Sequence, residues 1–224
     1  MAARIVTVDR GSQLESEVCR FRYRIYVEEM RRHQVHANHA ERMIREPLDR
    51  CSTVFAAIDT AGDVVGTMRY TAVGECPGSV YTALYRMRSF GAYFPDRCSF
   101  TTKLMVAAPL RRSALAARLA LAAYDLGVSR GHAVSFIDCN EPLVGFFRGL
   151  GYLPLPGAVE HPEYGRVQAM VVPVRDLRHL ENRRSPFLRR ARALGVVHED
   201  SLATVSDVLQ LLEKGLDHGA SCEN

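Results

Sequence analysis

Lysine is almost missing from this 224-residue chain, occurring only at Lys103 and Lys214. The basic side of a formal net charge of +4 is therefore carried by arginine. Its planar guanidinium favours bidentate contacts with phosphate and carboxylate, so acidic partners fit. No helix-turn-helix or RNA-binding signature occurs, and a nucleic-acid partner is not expected. The six cysteines (19, 51, 76, 98, 139 and 222) contain no C-x-x-C pair. That argues against a zinc site and a disulfide framework, and points to reduced thiols in the cytoplasm. A signal peptide and a membrane-length apolar run are also lacking, so no integral membrane segment is expected. The hydrophobic content of 47% is enough for one domain to bury a full core without disulfides or metal.

The stretch from Lys103 to Tyr152 organises the rest. Lys103-Leu-Met-Val106 reads as a strand that Pro109 breaks. Leu115, Leu119, Ala122, Ala123 and Leu126 then recur at helical spacing, with Ser113 as N-cap and Gly127 or Gly131 as the stop. Ala133 to Asp138 is a second buried strand, and Asn140-Glu-Pro142 opens another helix. The result is a βαβα unit with a parallel pair of strands. Exposed amides at a helix start hold an anion when small side chains let it approach. Ala114 and Ala116 supply that smallness, with Arg111 and Arg112 beside them.

These residues resemble the GNAT acyltransferase superfamily. Its phosphate loop, Arg/Gln-x-x-Gly-x-Gly/Ala, falls on Arg111, Ala114 and Ala116, with alanine in place of glycine. Its second motif, Asn-x-x-(apolar)-x-x-x-Tyr-x-x-x-Gly-Phe/Tyr, falls on Asn140, Leu143, Phe147, Gly151 and Tyr152, with Phe147 in place of tyrosine. A βαβ crossover with alanines placed for close helix–sheet packing is the competing structural explanation.

Upstream, Ile5 to Val8 reads as a strand and Asp9-Arg-Gly-Ser12 as a turn and cap. A helix follows with Leu14, Val18, Phe21 and Ile25 on its buried face. Arg22, Ile25 and Tyr26 resemble the Arg-x-x-Val-Phe helix of acyl-homoserine-lactone and N-acyl amino acid synthases, although Arg32 replaces the tryptophan that follows there. That branch carries an acidic Glu-x-Asp-x-x-Asp run and then an arginine in Gly-x-x-Arg-Leu. Ile44, Glu46, Asp49 and Arg69 take those places. Arg69 lies inside a strand, in a hairpin formed by Thr53–Asp59 and Val64–Thr71, and needs a carboxylate partner. Asp49 and Glu46 are the nearest along the chain. A structural salt bridge and a substrate-facing pair are both compatible with this pattern. The branch's Glu-x-Ser-Arg falls on Phe100, Thr102 and Lys103, so the acid at 100 is lost and the acceptor need not be the same amine.

Residues 31–51 show no clear period and carry His33, His36 and His39. No cysteine or second cluster joins these histidines, so no metal is expected. A mobile pocket wall is the expectation instead. Residues 71–100 read as a loop with a short helix, its Phe90, Tyr93 and Phe94 lining an acyl tunnel. Val167–Val174 is a strand that hairpins with the one near Tyr152. The expected division is a catalytic domain over residues 1–175 and a helical extension over 176–224. In the extension, Val205, Val208, Leu209, Leu212 and Leu216 form a stripe that packs on the domain, a dimer contact being the alternative. Residues His218 to Asn224 read as disordered.

The fold class expected is α/β: a GNAT-like, mixed, mostly antiparallel sheet flanked by helices. The resemblance implies N-acyl transfer from an acyl thioester, with no bound cofactor. Acyl carrier protein is the expected donor, with acyl-CoA as the alternative, and a small-molecule amine accepts. Arginines 111 and 112 and those within 189–192 (Arg189, Arg190 and Arg192) offer cations to an acidic carrier. An acetyl-CoA-dependent N-acetyltransferase and a non-catalytic binding module on the same fold are the other readings. Lys103, Arg69, Glu46, Asp49 and Glu28 are the candidate catalytic residues. Leu104, Met105, Val106, Arg111, Arg112, Ala114, Ala116, Asn140 and Phe147 are assigned to the donor, and Arg22, Tyr26, Phe100 and Thr102 to the acyl and acceptor pocket. A surface lysine at a strand end remains the alternative for Lys103.

Overall fold

Ser12 starts the first helix as its sequence implies. The Ser12 hydroxyl accepts from the Glu15 amide at 3.1 Å, and the Glu15 carboxylate accepts from the Gly11 amide at 3.0 Å. The structure, a computed structural model, describes residues 3–219, with side chains described through residue 214. Its strands are β1 (Arg4–Thr7), β2 (Ala37–Asn38), β3 (Met43–Ile44), β4 (Thr53–Ile58), β5 (Val64–Ala72), β6 (Cys98–Val106), β7 (Val134–Cys139), β8 (Leu153–Pro154), β9 (Val159–His161) and β10 (Gly165–Pro173). The helices are α1 (Gln13–Tyr23), α2 (Val80–Leu84), α3 (Leu115–Ser129), α4 (Val144–Leu150), α5 (Leu177–Asn182), α6 (Pro186–Ala193) and α7 (Ser201–Gly219). The main sheet has the order β1-β4-β5-β6-β7-β10-β8, with β9 on β10. This is the mixed, mostly antiparallel sheet expected. Its parallel pair is β6 and β7, in register over Cys98–Phe100 and Val134–Phe136.

Two compact units emerge: residues up to Thr71 with Thr101–Ala123, and Ala72–Phe100 with Tyr124 onward. In the first, β4 joins β1 and β5 in antiparallel ladders, and the tight turn at Ala61-Gly62 closes the β4–β5 hairpin. Helix α1 runs into a π-helical turn, Arg24–Glu29, that buries Ile25 and Tyr26. Residues 31–51, expected to be a mobile wall, instead form the small β2–β3 hairpin and a 3₁₀ turn, Pro47–Cys51. Strands two residues long are too short to show a period, which is why the pattern hid them. Ile44 is fully buried there. Cys19 is a free, buried thiol, whereas Cys51 is disulfide-bonded, against the expectation of reduced thiols.

In the second unit, β10 pairs with β7, β8 and β9. Residues 72–97 hold the expected short helix, α2, with 3₁₀ turns at Val73–Glu75 and Met87–Tyr93 on either side of it. Phe90 packs edge-on against Phe136, 4.9 Å between centroids, as part of the core. Cys98 and Cys139 are free and buried, and Cys76 is disulfide-bonded. Cysteine spacing along a chain cannot reveal pairs brought together by the fold. The last turn of α3 ends at Gly131, which takes φ 77.

Helices α5 and α6 dock on this unit through Tyr124, whose ring stacks on Phe187 at 4.4 Å. They also dock through Ser185 and His179, which hydrogen-bond the carbonyls of Leu150 and Gly151. Val205 and Val208 of α7 are buried, as the stripe implies. Leu216 lies outside the residues whose side chains are described. The helix continues through Gly219, where the sequence suggested disorder from His218, and residues 220–224 lie outside the described residues.

Candidate functional site

Five charged side chains meet inside the first unit. Arg69, with no exposed surface, comes from the middle of β5. Its Nη1 donates to Glu46 Oε2 at 2.5 Å and to Asp49 Oδ1 at 3.2 Å, while Nε donates to Thr102 Oγ1 at 2.9 Å. Arg22, from the last turn of α1, donates through Nη1 to both Asp49 oxygens at 2.9 and 2.8 Å. Lys103 Nζ lies 2.5 Å from Glu46 Oε1, donates to Gln34 Oε1 at 3.4 Å, and sits 4.7 Å from the centre of the Tyr26 ring. Asp49 Oδ2 also accepts from the Glu46 amide at 3.0 Å, which fixes the two carboxylates relative to each other.

The local backbone makes this convergence possible. Neighbouring side chains of a strand point to opposite faces. Yet Thr102 and Lys103, adjacent in β6, both reach the Arg69–Glu46 pair. Lys103 holds φ 56, a left-handed conformation that breaks the alternation as a bulge does. The π-helical turn similarly re-aims Tyr26 to lie against the ammonium. Lys103 is only 4% exposed, so the strand-end surface alternative does not apply.

Three cations, Arg22, Arg69 and Lys103, face two carboxylates. Burial pushes the Glu46 carboxyl up, but Arg69 and Lys103 outweigh it and hold its pKa down at about 2. Burial likewise opposes ionisation of Asp49, and the Arg22 and Arg69 guanidiniums overcome it, so its pKa is also lowered. Both acids are therefore ions at neutral pH and poor proton acceptors.

Arg22, Tyr26, Glu46, Asp49, Arg69, Thr102 and Lys103 are thus brought together. Glu28 is not among them: it is exposed, ion-paired with Arg42, and lines an open surface groove with Phe21, Tyr23 and Arg24. Gln34 joins the cluster although the sequence singled out nothing there. It sits in the stretch without a period, and a lone glutamine carries no motif. Of the three histidines, His39 bonds the Tyr23 hydroxyl through Nδ1 at 2.9 Å.

Leu104, Met105 and Val106 complete β6. Arg111 donates to the Val106 carbonyl at 3.1 Å and is ion-paired with Glu29. Arg112 and Ala114 are exposed, and Ala116 is half-buried at the start of α3. Here Ser113 caps the Leu115 amide while the Ala114 carbonyl accepts from Arg118. In the second unit, Asn140 starts the turn before α4. Phe147 is buried edge-on to Tyr152 at 5.6 Å. Phe100 is fully buried, 4.9 Å from the Tyr81 ring. An acid at position 100 would have no place in that aromatic environment.

No protein-family model matches the chain, and neither does any curated protein. Solved structures do. The sheet and helices have the GNAT-like fold found in acyl-transferring synthases. One similar structure is BjaI, a CoA-dependent acyl-homoserine lactone synthase with MTA: 16% identity, TM-score 0.59, covering 86% of this chain and 100% of that one. Another is TofI in a ternary complex with an inhibitor and MTA: 17% identity, TM-score 0.62, covering 87% and 100%. A third is FeeM, an N-acyl amino acid synthase from uncultured soil microbes: 14% identity, TM-score 0.60, covering 84% and 99%. At these identities the likeness is one of fold. Among the structures that share it are lactone synthases and an N-acyl amino acid synthase, the proteins that the residues around Arg22 and Arg69 resemble.

Proposed function

We propose that this protein is an N-acyltransferase that moves an acyl group from a phosphopantetheine thioester to the amine of an amino acid or related small molecule. The observation that carries this reading is the buried Arg22–Asp49–Arg69–Glu46–Lys103 cluster, on a fold shared with N-acylating synthases. An excess of one cation inside the first unit suits an acceptor that brings its own carboxylate, and Lys103 is the residue assigned to it. Glu46 and Asp49 act as fixed charges that hold Arg69 and Arg22 in place. The acceptor amine loses its proton to water rather than to either acid.

The reaction then balances simply. The neutral amine attacks the thioester carbonyl, the backbone amides of Leu104–Val106 receive the developing oxyanion, the now cationic nitrogen gives its extra proton to water, and the C–S bond breaks to release a thiolate. Phe147 has no proton to give. A thiol whose reference pKa is about 8.5 leaves readily enough for water to protonate it. The methyl groups of Ala114 and Ala116 narrow the phosphate loop. That favours a carrier-bound chain, with its single phosphodiester, over the larger pyrophosphate of CoA. Arg111, Arg190 and Arg192 are already ion-paired, with Glu29, Asp125 and Glu181 respectively, which leaves Arg112 and Arg189 to attract an acidic carrier. BjaI, which is CoA-dependent, makes CoA the proper comparison donor.

The test supplies carrier-bound and CoA-bound acyl chains of one length together with a set of amino acids, across a salt series, and identifies products by mass spectrometry. A new acyl amide, formed with higher kcat/KM from the carrier and with salt sensitivity, is expected. Acetyl amides alone would replace this reading with an acetyltransferase. Binding without turnover would replace it with a ligand-binding module.

A further inference from the structure

The second unit displays a patch of arginines of which the proposed function uses only Arg189, as a cation for the carrier. Helices α5 and α6 are fixed to the body of this unit by the Tyr124–Phe187 stack, by the Arg190–Asp125 ion pair and by the hydrogen bonds from His179 and Ser185. Phe187 and Ala191 are buried, so Arg189 and Arg192, off that stripe, face outward. Arg192 reaches Glu181 of α5 at 2.8 Å, which places the outer faces of the two helices side by side. Arg178 lies one turn before Glu181, and Arg183 and Arg184 occupy the tight turn between the helices. Arg178, Arg183, Arg184 and Arg189 are exposed, and among the described residues none has a carboxylate partner. Just past α6, Leu194 is 45% exposed and Val197 is 76% exposed, whereas Val196 between them is buried.

We infer that this surface is a docking site for a membrane bearing anionic phospholipid. A fixed set of guanidiniums matches the phosphodiester oxygens of lipid headgroups, which arginine binds bidentately. Basic side chains near an anionic bilayer each strengthen attachment, and apolar tips beside them enter the headgroup–acyl boundary. Leu194 and Val197 separate this from a plain polyanion site, because a nucleic acid offers nothing to an exposed valine. No helix among the described residues is long and apolar enough to cross a membrane, so the contact is peripheral. The inference does not rest on the acyltransferase reading.

The experiment sediments the full chain with vesicles of phosphatidylcholine alone or mixed with phosphatidylglycerol, over a salt series. Expected is binding to the anionic vesicles only, weakening with salt. The triple variant Arg183→Gln, Arg184→Gln, Arg189→Gln should lose about two orders of magnitude in partitioning, at roughly fivefold per arginine. Val197→Ser should weaken vesicle binding while leaving retention on heparin unchanged. A control, Arg20→Gln, on the exposed side of α1, should bind as the parent does. All of these positions are exposed, and melting curves check that the variants fold. Failure to bind anionic vesicles at low salt would overturn the inference, as would a triple variant that binds like the parent. Tighter binding to single-stranded DNA or to an acidic carrier protein than to vesicles, with no effect of Val197→Ser, would assign the patch to that partner instead.

Discussion

Lys103 reaches Glu46, 2.5 Å from Nζ to Oε1, from a strand position held at φ 56. A non-glycine residue in this region costs on the order of 1–2 kcal/mol. The strand accepts that cost where it brings an ammonium onto a carboxylate already bound by Arg69. With ordinary strand dihedrals at Lys103, Thr102 and Lys103 would face opposite sides of β6, and only one of them could touch the cluster. Backbone strain and charge are thus coupled at one residue, which is where such outliers point to function.

Arg69 is the hub, since it contacts Glu46, Asp49 and Thr102 together. Arg69→Ala leaves two buried carboxylates with less compensation and is expected to destabilise the protein by roughly 3–5 kcal/mol while abolishing turnover. Urea denaturation and an acyl-amide assay check both. An unchanged midpoint together with full activity would show that the pair is neither structural nor functional.

For Lys103 the expectation divides between kinetics and strain. Lys103→Ala should raise the KM of the acceptor far more than that of the donor, because only one substrate loses its contact. Lys103→Gly makes the same chemical deletion but removes the Cβ that disfavours φ 56, so it should melt no lower than the alanine variant. If both variants keep the parent's acceptor KM, Lys103 does not touch the acceptor.

The cluster was partly legible in the sequence, and the reasons differ by residue. Arg69 stood out because a charge among Val64, Val65, Met68 and Tyr70 demands a partner, and Asp49 and Glu46 were the nearest acids. Lys103 was ambiguous, because its burial depends on a left-handed backbone conformation that no local pattern announces. Gln34 was invisible. The β2–β3 hairpin that precedes the acids was read as mobile, since strands of two residues leave no periodicity. Long elements such as α3, β5 and β10 were readable from their apolar spacing. The disulfide state of Cys51 and Cys76 depends on tertiary structure and was not readable. The arginines at 190 and 192 looked free in sequence but are neutralised by Asp125 and Glu181, from elements 65 and 11 residues away.

Acid should act in two windows. Burial, reinforced by Arg130, lowers the His132 pKa to about 4 from 6.5, so the unfolded chain takes up a proton that the folded state refuses. Stability therefore falls as pH drops from about 6.5 towards 4. Glu46 is held at about 2 against an ordinary 4.5. Its contribution is fully present above 4.5 and is lost as pH falls through that value towards 2; the shift corresponds to about 3 kcal/mol. Asp49, lowered in the same direction, adds to this second window. Chemical denaturation at pH 7, 5.5, 4 and 3 measures both slopes. Glu46→Gln, which cannot ionise, should flatten the lower window and spare the upper one. A Glu46→Gln profile parallel to the parent's below pH 4.5 would refute the assignment.

Gly151 joins the Asn140–Tyr152 motif to the C-terminal helices. It closes α4 at φ 106, its amide bonds the Arg148 carbonyl at 3.0 Å, and its own carbonyl is bonded by His179 Nε2 at 2.7 Å. A Cβ there would meet Leu180 Cδ2 at 3.3 Å, Ser185 Oγ at 3.6 Å and Val172 Cγ2 at 3.6 Å. Two penalties therefore combine in Gly151→Ala: a left-handed conformation costing on the order of 1–2 kcal/mol, and displacement of Leu180, which is fully buried. The variant should lose about 2–3 kcal/mol by denaturation. Faster amide exchange should appear in α5 and at Ser185 before it appears in β5, because the strain is applied where α5 docks. Gly151→Asn, which tolerates the left-handed region better, should recover part of the backbone cost but none of the steric one. Equal stability of the parent and both variants would mean that the α4 turn relaxes freely and that α5 is not anchored through it.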